Sequence, residues 1–166
     1  SSTIRNATAG HEQKYGYWES RIKIPRSKSF WGAFWLTGGS NANGFGEIDI
    51  FETVAEPFMI HQNIHNWSLD GVAHVADGTV ALVPFDYAAD FHVYGLLWTA
   101  DEIVWYIDGK ESKRALAPMV ATFRDLCGPL HVLINLAIGG SWAGSPDGTT
   151  VWPGIMEIDY IKVWSV

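Results

Sequence analysis

The 166-residue sequence predicts a single all-β domain, and three observations predict it. Apolar residues make up 48% of the chain, charged residues only 17%, and 17 glycines are spread through it, a profile of short strands and tight turns. Several stretches alternate apolar and polar residues with a period of two, the spacing that gives a strand one core face and one solvent face. Turn-forming pairs such as Asp108-Gly109 separate these stretches. A chain of this length buries a sizeable core without covalent staples, so one domain over residues 1–166 is expected. Cys127 is the only cysteine, which excludes an intrachain disulfide.

The formal charge of −7 and pI near 5.2 exclude the basic footprint of a nucleic-acid binder and disfavour a sulfated polymer. A neutral partner fits better, and 9 Trp with 6 Tyr supply flat faces for sugar rings, although packing in the core is an equal use for any one of them. No apolar run approaches the ~20 residues needed to cross a membrane, and Ser1-Ser2-Thr3-Ile4 has neither the basic end nor the apolar run of a secretion signal. A monomer with no nucleic-acid or membrane partner is expected.

Taken in order, residues 1–10 are polar and begin with no cap or turn, as the remainder of a longer segment would. Residues 15–24 alternate as a strand, with Trp18, Ser20, Ile22 and Ile24 on one face and Tyr17, Glu19, Arg21 and Lys23 on the other, and Pro25 ends it. Arg21 lies two residues from Glu19 on the same face, so a strand-face ion pair is the expected role of Glu19. Residues 30–36 form a second strand with Trp31, Ala33 and Trp35 on one face, where one tryptophan, Trp35 by preference, is a candidate sugar platform. Residues 38–44 read as a turn or loop.

Gly46-Glu47-Ile48-Asp49-Ile50-Phe51-Glu52 then puts three carboxylates into six residues of an apolar run. Burying unpaired carboxylates is costly, so a strand that collects them without a use is unexpected. Glu47 and Asp49 share a face, Glu52 has the wrong parity, and one β-bulge near Ile50-Phe51 would return Glu52 to their side while keeping the isoleucines in the core. Two carboxyl groups so close on one strand suit retaining glycoside hydrolysis, which needs a separation of roughly 5–5.5 Å, whereas inversion leaves room for a water. Asp49 between them would add like charge, keeping a general acid protonated while the nucleophile stays ionised. The competing reading is an exposed edge strand carrying acids against aggregation.

Residues 59–67 place Met59, His61, Asn63, His65 and Trp67 on one face as cleft-lining donors and aromatics. A metal site from His61 and His65 is not expected, since positions i and i+4 on a strand lie about 13 Å apart. Asp70-Gly71 and Asp77-Gly78 signal turns in a loop of mixed character, and residues 86–90 read as a further loop. Residues 91–99 and 102–107 read as strands, the second entering an Asp108-Gly109 hairpin with Lys110 onward as its return. Residues 118–127 form a short helix or a loop. Residues 130–138 are a buried strand with one amide, Asn135, which needs either a structural partner or a sugar hydroxyl. Gly139-Gly140-Ser141-Trp142 is a tight loop holding an aromatic. The last strand, 155–164, carries Glu157 and Asp159 on one face with Ile161 and Val163, and with no aromatic loop around them this second acidic pair is read as structural.

Tyr15-Gly16-Tyr17-Trp18-Glu19-Ser20-Arg21-Ile22-Lys23-Ile24-Pro25, Trp31-Gly32-Ala33-Phe34-Trp35-Leu36, Glu47-Ile48-Asp49-Ile50-Phe51-Glu52, Asn135-Leu136-Ala137-Ile138-Gly139-Gly140-Ser141-Trp142 and Glu157-Ile158-Asp159-Tyr160-Ile161-Lys162-Val163-Trp164 together resemble glycoside hydrolase family 16. The resemblance implies a concanavalin-like β-jelly-roll sandwich with a concave substrate cleft and retaining endo-hydrolysis of a neutral β-linked polysaccharide. On the matching positions it implies Glu47 as nucleophile, Asp49 as assisting acid and Glu52 as general acid/base, with Trp31, Trp35, His65, Trp142 and Asn135 at the substrate. The six-residue spacing resembles the bulged branch of laminarinases, agarases, carrageenases and galactanases, and an endo-β-1,3-glucanase is expected first. A β-agarase or other endo-β-galactanase, a transglycosylase, and a non-catalytic β-glucan-binding module are the alternatives, and retention of all three acids speaks against the last. No cofactor and no metal are expected. Some members hold a structural calcium with an N-terminal acid and the residue matching Asp159; a calcium there is possible by the resemblance but not required, and no strand is read before residue 15 to supply the N-terminal acid. By the same resemblance the protein would be extracellular or periplasmic.

Overall fold

Strict alternation builds the first long strand. Gly16–Lys23 (β2) buries Trp18, Ser20 and Ile22 and leaves Tyr17, Glu19, Arg21 and Lys23 half-exposed, because successive side chains on a pleated strand point to opposite faces. The computed structural model describes residues 2–5, 12–41, 44–67 and 74–166. The other strands are Ser2–Arg5 (β1), Phe30–Asn41 (β3), Gly44–Thr53 (β4), Met59–Trp67 (β5), His74–Leu82 (β6), His92–Trp98 (β7), Ile103–Ile107 (β8), Lys110–Arg114 (β9), Leu130–Ile138 (β10) and Glu157–Trp164 (β11). All ladders are antiparallel and form a six-stranded sheet in the order β1-β10-β3-β4-β5-β6 and a five-stranded sheet in the order β11-β2-β7-β8-β9.

The inner faces of the two sheets meet in one core as a sandwich. Trp18, Phe34, Leu36, Ile48, Ile64, Tyr94, Leu96, Trp98 and Trp105 fill it with at most 1% of their surface exposed. Residues 118–127, read as helix or loop, lie mostly in the helix Ala117–Leu126 (α1), which has Pro118 in its first turn, where a missing N–H has no cost, and buries Met119, Val120 and Phe123. Its end packs under the acidic strand at Gly46, where a Cβ would lie 2.4 Å from the Cys127 sulfur and 3.0 Å from the Phe123 ring. Asp108 and Gly109 both take positive φ, 49° and 74°, giving the hairpin turn between β8 and β9 that the sequence predicts. No described helix is long and apolar enough to cross a membrane.

The structure corrects the sequence reading at four places. Of the loop read over residues 38–44, residues 38–41 belong to β3 and Gly44 to β4, because backbone pairing of Gly38 with Gly46 and of Asn41 with Gly44 needs no side chains, and residues 42–43 lie outside the described residues. Asp77-Gly78 is not a turn but the middle of β6, where Lys113 holds Asp77 at 2.8 Å and Gly78 pairs with Asn63. Asp70-Gly71 lies outside the described residues.

Glu19 does not pair with Arg21. Arg21 bonds Asp159 at 2.9 Å, while Glu19 accepts from the Tyr17 and Tyr160 hydroxyls at 3.1 and 2.7 Å. Same-face residues along one strand are roughly 6.6 Å apart and cross-strand neighbours about 5 Å apart, so Arg21 turns to the adjacent strand, while the longer reach of the Tyr17 phenol still spans the gap to Glu19. Asp159 is itself an extra residue between Ile158 and Tyr160, so Glu157 pairs with Lys23 on the outer face and does not share the side of Ile161 and Val163.

Candidate active site

Glu47, Asp49 and Glu52 stand on the outer face of the six-stranded sheet because β4 carries one extra residue. The ladder with β3 pairs Phe34 with Phe51 and Trp35 with Asp49, leaving Ile50 unopposed, and the ladder with β5 passes from Asp49 and Asn63 to Glu52 and His61. Ile48, Ile50 and Phe51 are all fully buried, Asp49 is 3% exposed, and Glu47 and Glu52 are half-buried. The bulge expected near Ile50-Phe51 is therefore present, and it turns Glu52 to the side of Glu47 and Asp49. Two core side chains take the bulge carbonyls: Trp105 Nε1 donates to that of Asp49 at 2.8 Å and Gln62 Nε2 to that of Ile50 at 3.2 Å.

The strands on either side supply the polar surroundings. From β3, Trp31 Nε1 donates to Glu52 Oε1 at 2.9 Å, and from β5, Asn63 Nδ2 donates to Glu52 Oε2 at 3.0 Å. Trp35 Nε1 donates to Asn135 Oδ1 at 2.7 Å, so the amide of β10, half-buried and not buried as the sequence suggests, has a structural partner and still lines the site. His65 Nε2 is 3.2 Å from Asp49 Oδ2 and 3.9 Å from Glu47 Oε1, and its Nδ1 is 2.7 Å from His74 Nε2. The His74 contact is satisfied when His74 donates its Nε2 proton to His65 Nδ1, which leaves the His65 Nε2 proton on the side of the acids.

Trp31, Ala33, Trp35, Glu47, Asp49, Glu52 and Asn135 line one hollow of about 240 Å³. Trp142 stands at its rim, 42% exposed, with its ring edge-on to Trp31 at 5.1 Å and to His61 at 4.8 Å. A larger hollow of about 560 Å³ between β6 and β9 shares none of these residues.

All the site residues expected from the sequence thus lie on one face, with Asn63 and His74 beside them as partners. Asn63 was visible as part of the β5 stripe. His74 was not, since the chain around it reads as loop. Gln62 did leave a signal: it is a polar residue at the apolar parity of β5, between Ile60 and Ile64.

Burial pushes all three carboxyl groups up to about 7. The Asp49 charge raises Glu47 and Glu52 further, while the Trp31 and Asn63 donors and His65 pull Glu52 back. Asn63 also pulls Asp49 down. The sequence reading had the rise fall on a single general acid; the structure spreads it over three, because each is desolvated in the same hollow and the three release protons as a set. Near neutral pH the site therefore holds both protonated and ionised carboxyl groups, the condition for acid and base work in one place.

Among the described residues, one group has metal-ligand spacing: an oxygen each from Glu47 and Asp49 and a nitrogen of His65 lie within 4.8 Å of one another. His61 is not part of it and sits 3.1 Å from Glu56 instead. The group coincides with the acids that face the hollow, where an ion would occupy the carboxylates the chemistry below requires.

The pattern of Glycosyl hydrolases family 16 matches residues 2–162. An endo-1,3-1,4-beta-glycanase of Rhizobium meliloti, ExsH, is 35% identical over 161 residues, covering 93% of this chain and 31% of its own length. A beta-glucanase of Rhodothermus marinus is 30% identical over 164 residues, covering 90% of this chain and 57% of its own length. The chain thus spans less than two thirds of each of these relatives. The catalytic domain of an endo-1,3-beta-glucanase (laminarinase) from Thermotoga petrophila superposes with a TM-score of 0.79 at 31% identity, over 95% of this chain and 66% of that one. Because the matching pattern runs from the first edge strand into the last, and not through the acidic motif alone, the chain belongs to glycosyl hydrolase family 16.

Proposed function

We propose that this chain is an endo-β-glucanase acting on β-1,3-linked glucan with retention at the anomeric carbon. The observation that carries the reading is the bulge at Ile50, which gathers Glu47, Asp49 and Glu52 on one face of a hollow walled by Trp31 and Trp35. The names of the relatives and structure above, an endo-1,3-1,4-beta-glycanase, a beta-glucanase and an endo-1,3-beta-glucanase, support the substrate class. In this mechanism Glu47 attacks the anomeric carbon as Glu52 gives its proton to the departing glycosidic oxygen. Glu52 then takes a proton from water, which displaces Glu47 from the sugar. Trp31 and Asn63 aim the Glu52 carboxyl, Asp49 raises its proton affinity by like charge, and His65 steadies Asp49. A polymer of this kind is met outside the cytoplasm, in accord with an extracellular or periplasmic protein.

The test is reducing-end release from laminarin, mixed-linkage glucan, agarose and carrageenan, with Glu47→Gln and Glu52→Gln alongside and the anomer of the first product read by NMR. The expected result is release from laminarin that falls by at least about 10³-fold in both variants, with β-configured product. Release from agarose alone would move the substrate to β-galactan. An α-configured product would overturn retention.

A further inference from the structure

We propose that Gln62 is a positioning residue that fixes the β4 bulge and so aims Glu52 at the leaving-group oxygen; the proposal rests on the acid/base role given to Glu52 above. A bulge interrupts its ladder and leaves backbone groups in need of other partners. Gln62 lies on β5 opposite the extra residue, between the pairs Asp49 with Asn63 and Glu52 with His61. Its side chain is wholly buried where the alternation asks for an aliphatic residue, and both ends of its amide are used. Nε2 donates to the Ile50 carbonyl at 3.2 Å and Oε1 accepts from Ser112 Oγ at 2.9 Å.

Ser112 belongs to the opposite sheet and is the extra residue of another bulge, since β8 pairs Trp105 with Lys113 and Tyr106 with Glu111. That irregularity turns both Ser112 and Lys113 inward. Lys113 reaches Asp77 on β6 at 2.8 Å and lies 5.2 Å over the Trp105 ring, and Trp105 holds the Asp49 carbonyl at 2.8 Å. The two bulges therefore brace one another across the core, with Gln62 on one carbonyl and Trp105 on the one before it. Glu52 lies two residues past Ile50, so a rotated Ile50 peptide swings it off Trp31 and Asn63. Glu47 lies three residues before, on the regular ladder between Thr37 and His65, and stays in place.

That asymmetry gives the test. A sugar leaving group needs the Glu52 proton, whereas dinitrophenolate departs without one. In Gln62→Leu, kcat on laminarin falls about 30-fold with KM within about 2-fold, in line with the cost of displacing a catalytic group by ~1 Å. The glycosylation burst from 2,4-dinitrophenyl β-laminaribioside falls less than about 3-fold, because Glu47 is undisturbed. Ser112→Ala keeps the amide and removes its brace, shifts the same ratio by a smaller factor, and gives the readout if Gln62→Leu does not fold. Ser20→Ala deletes a buried hydrogen bond elsewhere, to the Tyr160 carbonyl, and lowers the melting temperature with the ratio unchanged. Equal losses on both substrates in folded Gln62→Leu and Ser112→Ala would overturn the positioning role alone. A wild-type chain inert toward both substrates would overturn the glucanase reading and the positioning role with it.

Discussion

Glu52 is held from two sides, by an indole from β3 and an amide from β5, and both donors favour its ionised form while Asp49 favours its neutral one. Those opposed influences predict opposite pH shifts. Trp31→Phe keeps the ring and deletes the donor, so the proton affinity of Glu52 rises and the alkaline limb of kcat/KM moves to higher pH, by up to about one unit. Asp49→Asn deletes the like charge and moves that limb to lower pH. Profiles of the two variants against wild type check both, and a shift of the same sign in each would contradict the electrostatic account. The acids themselves were legible in the sequence, since parity makes Glu52 the odd residue and a bulge its only remedy. The partners were less so. Trp35 with Asn135, and His65 with His74, join residues whose spacing along the chain says nothing about their meeting in space.

Among the elements, β6 departs furthest from expectation. Its Asp77-Gly78 pair has the form of a turn, yet Asp77 anchors to Lys113 and Gly78 serves Asn63. A Cβ at Gly78 would lie 2.5 Å from Asn63 Oδ1, the end of a side chain that can move, so Gly78→Ala displaces the Asn63 amide and not the backbone. The expected outcome is a loss of kcat of about 10-fold, with the melting temperature within a few degrees of wild type, measured by laminarin turnover and thermal unfolding. Individual strands could be read from alternation because that signal is local. Strand order could not. β10 sits between β1 and β3, pairing Asn135 with Ala33 and Thr3, and no local pattern encodes a partner a hundred residues away. Bulges divide the same way: the one in β4 showed because acids fell on both parities, whereas those at Ser112 and Asp159 move residues that suit either face.

For the molecule as a whole, the three acids act against stability. Their folded-state proton affinities are raised from ordinary carboxylate values to about 7, so between pH 4 and 7 the folded chain binds more protons than the unfolded one. Their contribution is most favourable below that window, declines as pH rises through it and stays low above. Asp77 and Asp86 have lowered values and work in the other direction, lending stability at neutral pH that is lost in acid. Asp49→Asn removes the most deeply buried charge of the three. It should stabilise the fold by roughly 1–3 kcal/mol at pH 8 and by little at pH 4, as measured by urea unfolding at both. Beneath the same strand, the Cys127 thiol is 3% exposed, packed toward Gly46, and pushed up to about 12 by burial. A reagent that consumes thiolate finds none on the closed molecule. With no second sulfhydryl to blur the signal, the pace of alkylation becomes a clock for how often the helix lifts from the floor of the cleft.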